Sequence, residues 1–223
     1  MFNVSRIAPA PLCLANNIYN DPSVIDILKP MFLGKCYLCE QIDLSDPEIE
    51  HFIPHRGNDV LKYDWNNLFY ACGRCNSIKG SQYINLLNCT DSNVNVTLEI
   101  EHILPGISSE EVIVRAHSLN PSQETINTVA LLDECYNSVN TGLRGITREN
   151  LMEKIFDYYY VYINARRVLI TRTSLPPEIE HAIQTLKLMS EPKFPFSVFW
   201  VWHFKLDTRL HELRPEILEL IDV

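Results

Sequence analysis

The chain has 223 residues, 46% hydrophobic and 21% charged, which suits a buried core and excludes a disordered chain. Twenty-eight acidic residues against 19 Lys and Arg leave a net charge of −9, which argues against unaided gripping of nucleic acid. No apolar run approaches the roughly 18–20 residues of a membrane helix, and the opening MFNVSRIAPAPLCLANN has no secretion-signal character, so a soluble, cytoplasmic protein is expected.

Residues 1–20 read as irregular. Asp21-Pro22-Ser23 predicts a helix start, with Asp as cap and Pro in the first turn, carrying Val24, Ile27, Leu28 and Phe32 to about Gly34. A knuckle at 35–45 precedes a strand over Ile49–Ile53, stopped by Pro54. A polar loop around Gly57, Asn58 and Asp59 leads to the segment Trp65–Tyr70, and helical character resumes around a second knuckle ending near Gly80. NVNVTLEIEHI and EEVIVRAHS alternate apolar and polar side chains, which predicts a hairpin over 93–118 turning near Pro105-Gly106. A helix from about Ser122 carries Ile126, Val129, Ala130, Leu131 and Leu132. A long one runs from about Thr147, a possible cap, to Arg172. Pro176-Pro177 resets the chain before a helix over 178–190; Pro192 and Pro195 break it, and two short helices are expected over 196–222.

Four of the seven cysteines form Cys-x-x-Cys pairs, Cys36/Cys39 and Cys72/Cys75, with 32 residues between the pairs. Two residues between thiolates let both sulfurs reach one ion, and two such knuckles complete a tetrahedral zinc site. Redox or merely buried cysteines are the weaker alternatives.

The stretch IEHFIPHRGNDVLKYDWNNLFYACGRCNSIKG, residues 49–80, resembles the HNH endonucleases with their ββα-metal fold. The resemblance rests on Glu50-His51 with Pro54, Asn67-Leu68, and Cys72-Gly-Arg-Cys75-Asn76 with Lys79. It departs from the commonest pattern in having Asn76 where many members have a final His. The resemblance implies an α+β chain: a zinc-stapled ββα-metal module, a β-hairpin and a mainly helical C-terminal half. The expected division is 1–34 as N-terminal segment and helix, 35–90 as nuclease module, 91–120 as hairpin, and 121–223 as a helical partner-docking region.

Phosphodiester hydrolysis needs a base for water, a cation on the phosphate oxygens and firm positioning. His51 is the side chain suited to accept a proton near neutral pH. Glu50 and Asn76 offer hard oxygen ligands for Mg²⁺ or Mn²⁺. Neighbouring residues of a regular strand face opposite ways, so Glu50 and His51 need a bend to act together. The resemblance gives Asn67 the role of bracing the loop that aims His51. His55, Arg56, Arg74 and Lys79 are candidates for holding substrate phosphates. His117, His181, His203 and His211 read as structural, and the Tyr158–Tyr160 run as core.

Ile100-Glu101-His102-Ile103-Leu104-Pro105 repeats the Glu-His-x-x-Pro pattern, but no Asn-Leu or Cys-x-x-Cys follows, so it reads as a strand with a solvent-facing His. The aromatic group Phe194, Phe196, Phe199, Trp200, Trp202 and Phe204 suggests a hydrophobic dock. The whole layout resembles the nuclease subunits of Septu antiphage systems and of the retrons that share their ATPase–nuclease pair. That resemblance implies an ABC/SMC-like ATPase partner, a DNA or tRNA substrate, and in a retron a reverse transcriptase with its RNA and DNA. The competing reading is a zinc-bearing adaptor without catalysis.

Overall fold

The computed structural model describes residues 1–6, 9–139 and 145–221. The first helix, α1 (Pro22–Met31), starts where the sequence places it: the Asp21 side chain accepts from the Ser23 amide and Pro22 fills the first turn. Val24 and Leu28 turn inward and are fully buried. The first knuckle follows as a tight turn in which the Glu40 amide donates to the Cys36 carbonyl.

Strand β1 (Pro47–His51) pairs antiparallel with β2 (Leu68–Cys72), Glu50 opposite Phe69 and His51 opposite Leu68. The short α2 (Asp59–Tyr63) and a 3-10 turn at Trp65–Asn67 lie between them, and α3 (Gly73–Lys79) follows β2 directly. The expected strand over Ile49–Ile53 is thus displaced two residues toward the N-terminus. Ile53 cannot extend the ladder, because the Asn67 side chain takes both its amide and its carbonyl.

The second hairpin is shorter than the alternation predicts. Residues 96–99 form a helical turn, α4 (Val96–Glu99), because the Asn95 side chain caps the Leu98 amide. Only β3 (Ile100–Ile103) and β4 (Ile113–Ala116) pair. Helices α5 (Gln123–Asn137), α6 (Arg148–Ile170) and α7 (Pro176–Ser190) follow the sequence reading, with the Ser122 and Thr147 side chains capping α5 and α6. The last stretch holds three short helices where two were expected: α8 (Ser197–Lys205), α9 (Thr208–Leu213) and α10 (Ile217–Leu220).

The aromatic group expected to form a surface dock is core instead. Phe196, Phe199, Trp200, Trp202 and Phe204 are all buried. Tyr158 packs on Phe194 and Phe196, and Tyr159 stacks on Trp200, whereas Tyr160 faces solvent at 74% exposure. His102 also departs from expectation. It is fully buried against Tyr136 and Phe199, because both faces of β3 are covered, and α8 packs on it.

The two-knuckle segment is tied to the helical half by a buried polar knot. The Lys35 ammonium donates to Glu40 at 2.8 Å, to the Phe194 carbonyl at 3.0 Å and to the Ser197 hydroxyl at 3.1 Å. Ser197 in turn donates to Glu40 at 2.9 Å. The other Glu40 oxygen faces the Met1 ammonium at 3.2 Å, so the buried carboxylate has a cation on each side.

Candidate metal and nuclease site

The two knuckles meet. The sulfurs of Cys36, Cys39, Cys72 and Cys75 all lie within 4.8 Å of one another, and all four residues are buried. Cys36 and Cys39 come from the turn before β1, while Cys72 ends β2 and Cys75 lies in the first turn of α3. Hydrogen bonds from its three neighbours hold Cys36 well below the usual thiol range against the effect of burial, while sharing with Cys36 pushes Cys39 well above it. Four thiolates cannot share such a space uncompensated. A tetrahedral dication of the zinc type relieves the conflict, and the donor set fits it.

Beside this cluster, β1 and α3 present the remaining predicted residues. His51 closes β1, half-buried, its ring 4.9 Å from Tyr19 and 4.7 Å from His55. Its Nε2 lies 3.0 Å from the Lys62 carbonyl. A carbonyl can only accept, so Nε2–H donates and Nδ1 keeps the lone pair in the neutral ring. Burial lowers the His51 pKa, with the Lys62 carbonyl partly opposing it.

Asn67 is buried and clasps the loop after β1. Its amide donates to the carbonyls of Ile53 and Leu61, both at 2.8 Å, and its oxygen accepts from the Ile53 amide at 2.7 Å. With the Phe52 amide also donating to the Asn67 carbonyl at 2.9 Å, the chain on the C-terminal side of His51 is fixed.

The remaining predicted residues divide. Glu50 points away from His51 toward α3, as strand alternation requires, and is 5% exposed. Lys79 donates to its carboxylate at 2.5 Å and to the His51 carbonyl at 2.9 Å. Burial raises the Glu50 pKa to about 7 despite the Lys79 charge. In this arrangement the Glu50 carboxylate faces a buried lysine. Asn76, half-buried, donates instead to Glu48. Glu48 escaped the sequence reading, although it sits two residues before Glu50 on the same strand face, and that spacing was the available signal.

Arg74 and Lys79, expected to hold substrate phosphates, do not reach the surface. Both are fully buried, Arg74 donating to the carbonyls of Cys135 and Ser138 at the end of α5. The His55 ring lies 4.7 Å from that of His51, and Arg56 is exposed, its guanidinium donating to the Ser81 carbonyl.

Comparison with known proteins agrees with this geometry. The family model for HNH endonucleases matches residues 36–82. The match covers the segment that holds both knuckles, β1, β2 and α3. Two curated proteins similar to the chain are both Septu protein PtuB. The one from Bacillus mycoides (strain KBAB4) is 38% identical over an alignment covering 31% of this chain and 29% of its own length. The one from Bacillus thuringiensis is 35% identical, covering 30% and 27%. The chain thus matches less than a third of the length of these relatives. Among the described residues, no helix is long and apolar enough to cross a membrane.

Proposed function

We propose that the protein is a metal-dependent nuclease that hydrolyses nucleic-acid phosphodiesters as part of an antiphage defence complex. The observation that carries this reading is the His51 ring. Its Nε2–H is held by the Lys62 carbonyl, and its loop is clasped by Asn67 beside a strand–helix pair bearing oxygen donors. Nδ1 of His51 takes the proton of the attacking water. Asn76 and the β1 carboxylates would hold Mg²⁺ or Mn²⁺, which supplies charge neutralisation at the phosphate. Asn67 keeps His51 aimed, while His55 and Arg56 meet the phosphate backbone. The four cysteines hold zinc as a staple for a module with little core of its own.

The defence context rests on the resemblance to the two PtuB proteins, and an ATPase partner of the ABC/SMC-like type is proposed with it. The charge supports dependence on a partner. Residues 51–80 carry four Lys and Arg against two Asp, but Arg74 and Lys79 are buried, so the module presents little positive surface to a duplex. The test is cleavage of labelled DNA and of tRNA by the purified chain with Mn²⁺, alone and with the ATPase encoded beside it. Products that vanish with EDTA support the reading, and a reverse-transcriptase gene beside the pair would place it in a retron. No cleavage of either substrate under any of these conditions would favour the adaptor.

A further inference from the structure

Tyr19 reaches His51 from a part of the chain that lies outside the segment matched by the family model. A 3-10 turn at Leu12–Asn16 ends on Asn17, which takes the left-handed conformation, and the Ile18 amide donates back to the Cys13 carbonyl at 3.1 Å. This reversal leaves Tyr19 two residues before the Asp21 cap of α1, and α1 packs on both β1 and β2. The Tyr19 ring therefore lands at the end of β1, edge-to-face with His51 at 4.9 Å.

Tyr63, at the end of α2, stands behind it, with the two ring centroids 6.4 Å apart and their planes inclined by 51°. Planes so inclined cannot clamp a flat base between them, which leaves an outer ring face for stacking. The Lys62 ammonium caps the pair, 5.7 Å from the Tyr19 centroid and 5.2 Å from that of Tyr63. The carbonyl of the same lysine holds Nε2–H of His51, so the cation and the proposed base belong to one rigid arrangement. Exposure separates these tyrosines from those that serve the core. Tyr37, Tyr70, Tyr136 and Tyr162 are sealed, whereas Tyr19 and Tyr63 are half-buried and keep part of each ring in solvent.

Resting on the nuclease reading above, we infer that Tyr19, backed by Tyr63, is a stacking platform for an unpaired base beside the scissile phosphate, with Lys62 on the neighbouring phosphate. Every nucleobase has a π-face, so the contact tolerates any sequence. Inside a duplex both faces of a base are covered by its neighbours, and the substrate class is therefore a single strand or loop. Stacking also supplies affinity that depends little on charge, which suits a module that buries Arg74 and Lys79.

The experiment uses the zinc-loaded full chain and short DNA and RNA strands carrying 5-iodouracil, irradiated in Ca²⁺ and mapped by mass spectrometry of the crosslinked peptides. The same strands annealed to their complements serve as the duplex arm. Crosslinking at Tyr19 from the single strand and its loss in the duplex are expected. In Mn²⁺, Tyr19→Leu, matched to wild type in zinc content and melting temperature, should raise KM for the single strand at least about fivefold with little change in kcat. Tyr19→Trp, which restores a flat ring, should bring KM back toward the wild-type value. Crosslinks that map only to residues other than Tyr19 and Tyr63, or none at all, overturn the platform, as does equal crosslinking from the duplex. Wild-type cleavage without a crosslink at Tyr19 leaves the nuclease reading standing and removes the platform. A crosslink at Tyr19 in a chain that cleaves no substrate does the reverse.

Discussion

Two histidines in this chain share the pattern Ile-Glu-His-x-x-Pro and meet different fates. His51 is half-buried, with Nε2–H on a carbonyl; His102 is sealed between Tyr136 and Phe199, with Nδ1–H donating to the Ile100 carbonyl at 3.0 Å. Burial lowers the His102 pKa to about 3. The sign of its effect on stability follows directly. As pH falls below about 6.5 the unfolded chain takes up a proton that the folded one refuses, so stability is lost progressively down to about pH 3. Urea unfolding at pH 7 and pH 4.5 should therefore show a smaller acid loss in His102→Leu than in wild type, by about 2 kcal/mol. Equal losses would mean that His102 does not titrate this way. The repeated motif itself was legible as a decoy, since no second knuckle follows it. Its burial was not, because α8, which covers β3, lies some hundred residues away and leaves no trace in the local pattern.

At the scale of elements, the loop between β1 and β2 depends on one side chain. Asn67→Ala removes three hydrogen bonds at buried or half-buried positions, at about 2–4 kcal/mol in total. We expect that variant to keep its zinc, to melt at a lower temperature and to lose at least tenfold in cleavage; unchanged melting and cleavage would contradict the clasp. The Asn67 role was readable because the spacing from His51 and from the second knuckle is a family pattern. The end of β1 was not, because side-chain capture of the Ile53 backbone competes with the strand ladder and no periodicity reports it. Alternation did foretell that Glu50 and His51 would diverge. What stayed hidden was the contact of Lys79 with Glu50, which depends on where α3 packs against β1.

For the molecule as a whole, two fasteners hold the nuclease segment in place: the four-cysteine cluster inside it and the Lys35–Glu40–Ser197 knot that joins it to the start of α8. Cys36→Ala should cost zinc and folding stability together, measured by metal content and melting temperature; an unchanged melting curve with zinc retained would count against the cluster. Lys35→Met leaves the buried Glu40 without its principal counter-charge, a loss of about 3–5 kcal/mol by chemical denaturation. The cysteine spacing announced the first fastener. Nothing announced the second, since Lys35 and Ser197 meet only through tertiary packing. The same packing turned the expected aromatic dock into core, leaving Tyr160, Val161, Leu175 and Leu188 as outward apolar residues on and between α6 and α7. It also buried two of the four cations in residues 51–80, which sharpens the meaning of the −9 charge: catalysis at a small site is compatible with it, and autonomous capture of nucleic acid is not.

The most direct test of the account is cleavage by His51→Ala beside wild type, in Mn²⁺ and with the proposed ATPase partner present, on preparations matched for zinc content and melting temperature. The account predicts that cleavage is abolished while zinc and fold persist. Cleavage by His51→Ala at the wild-type rate would contradict it.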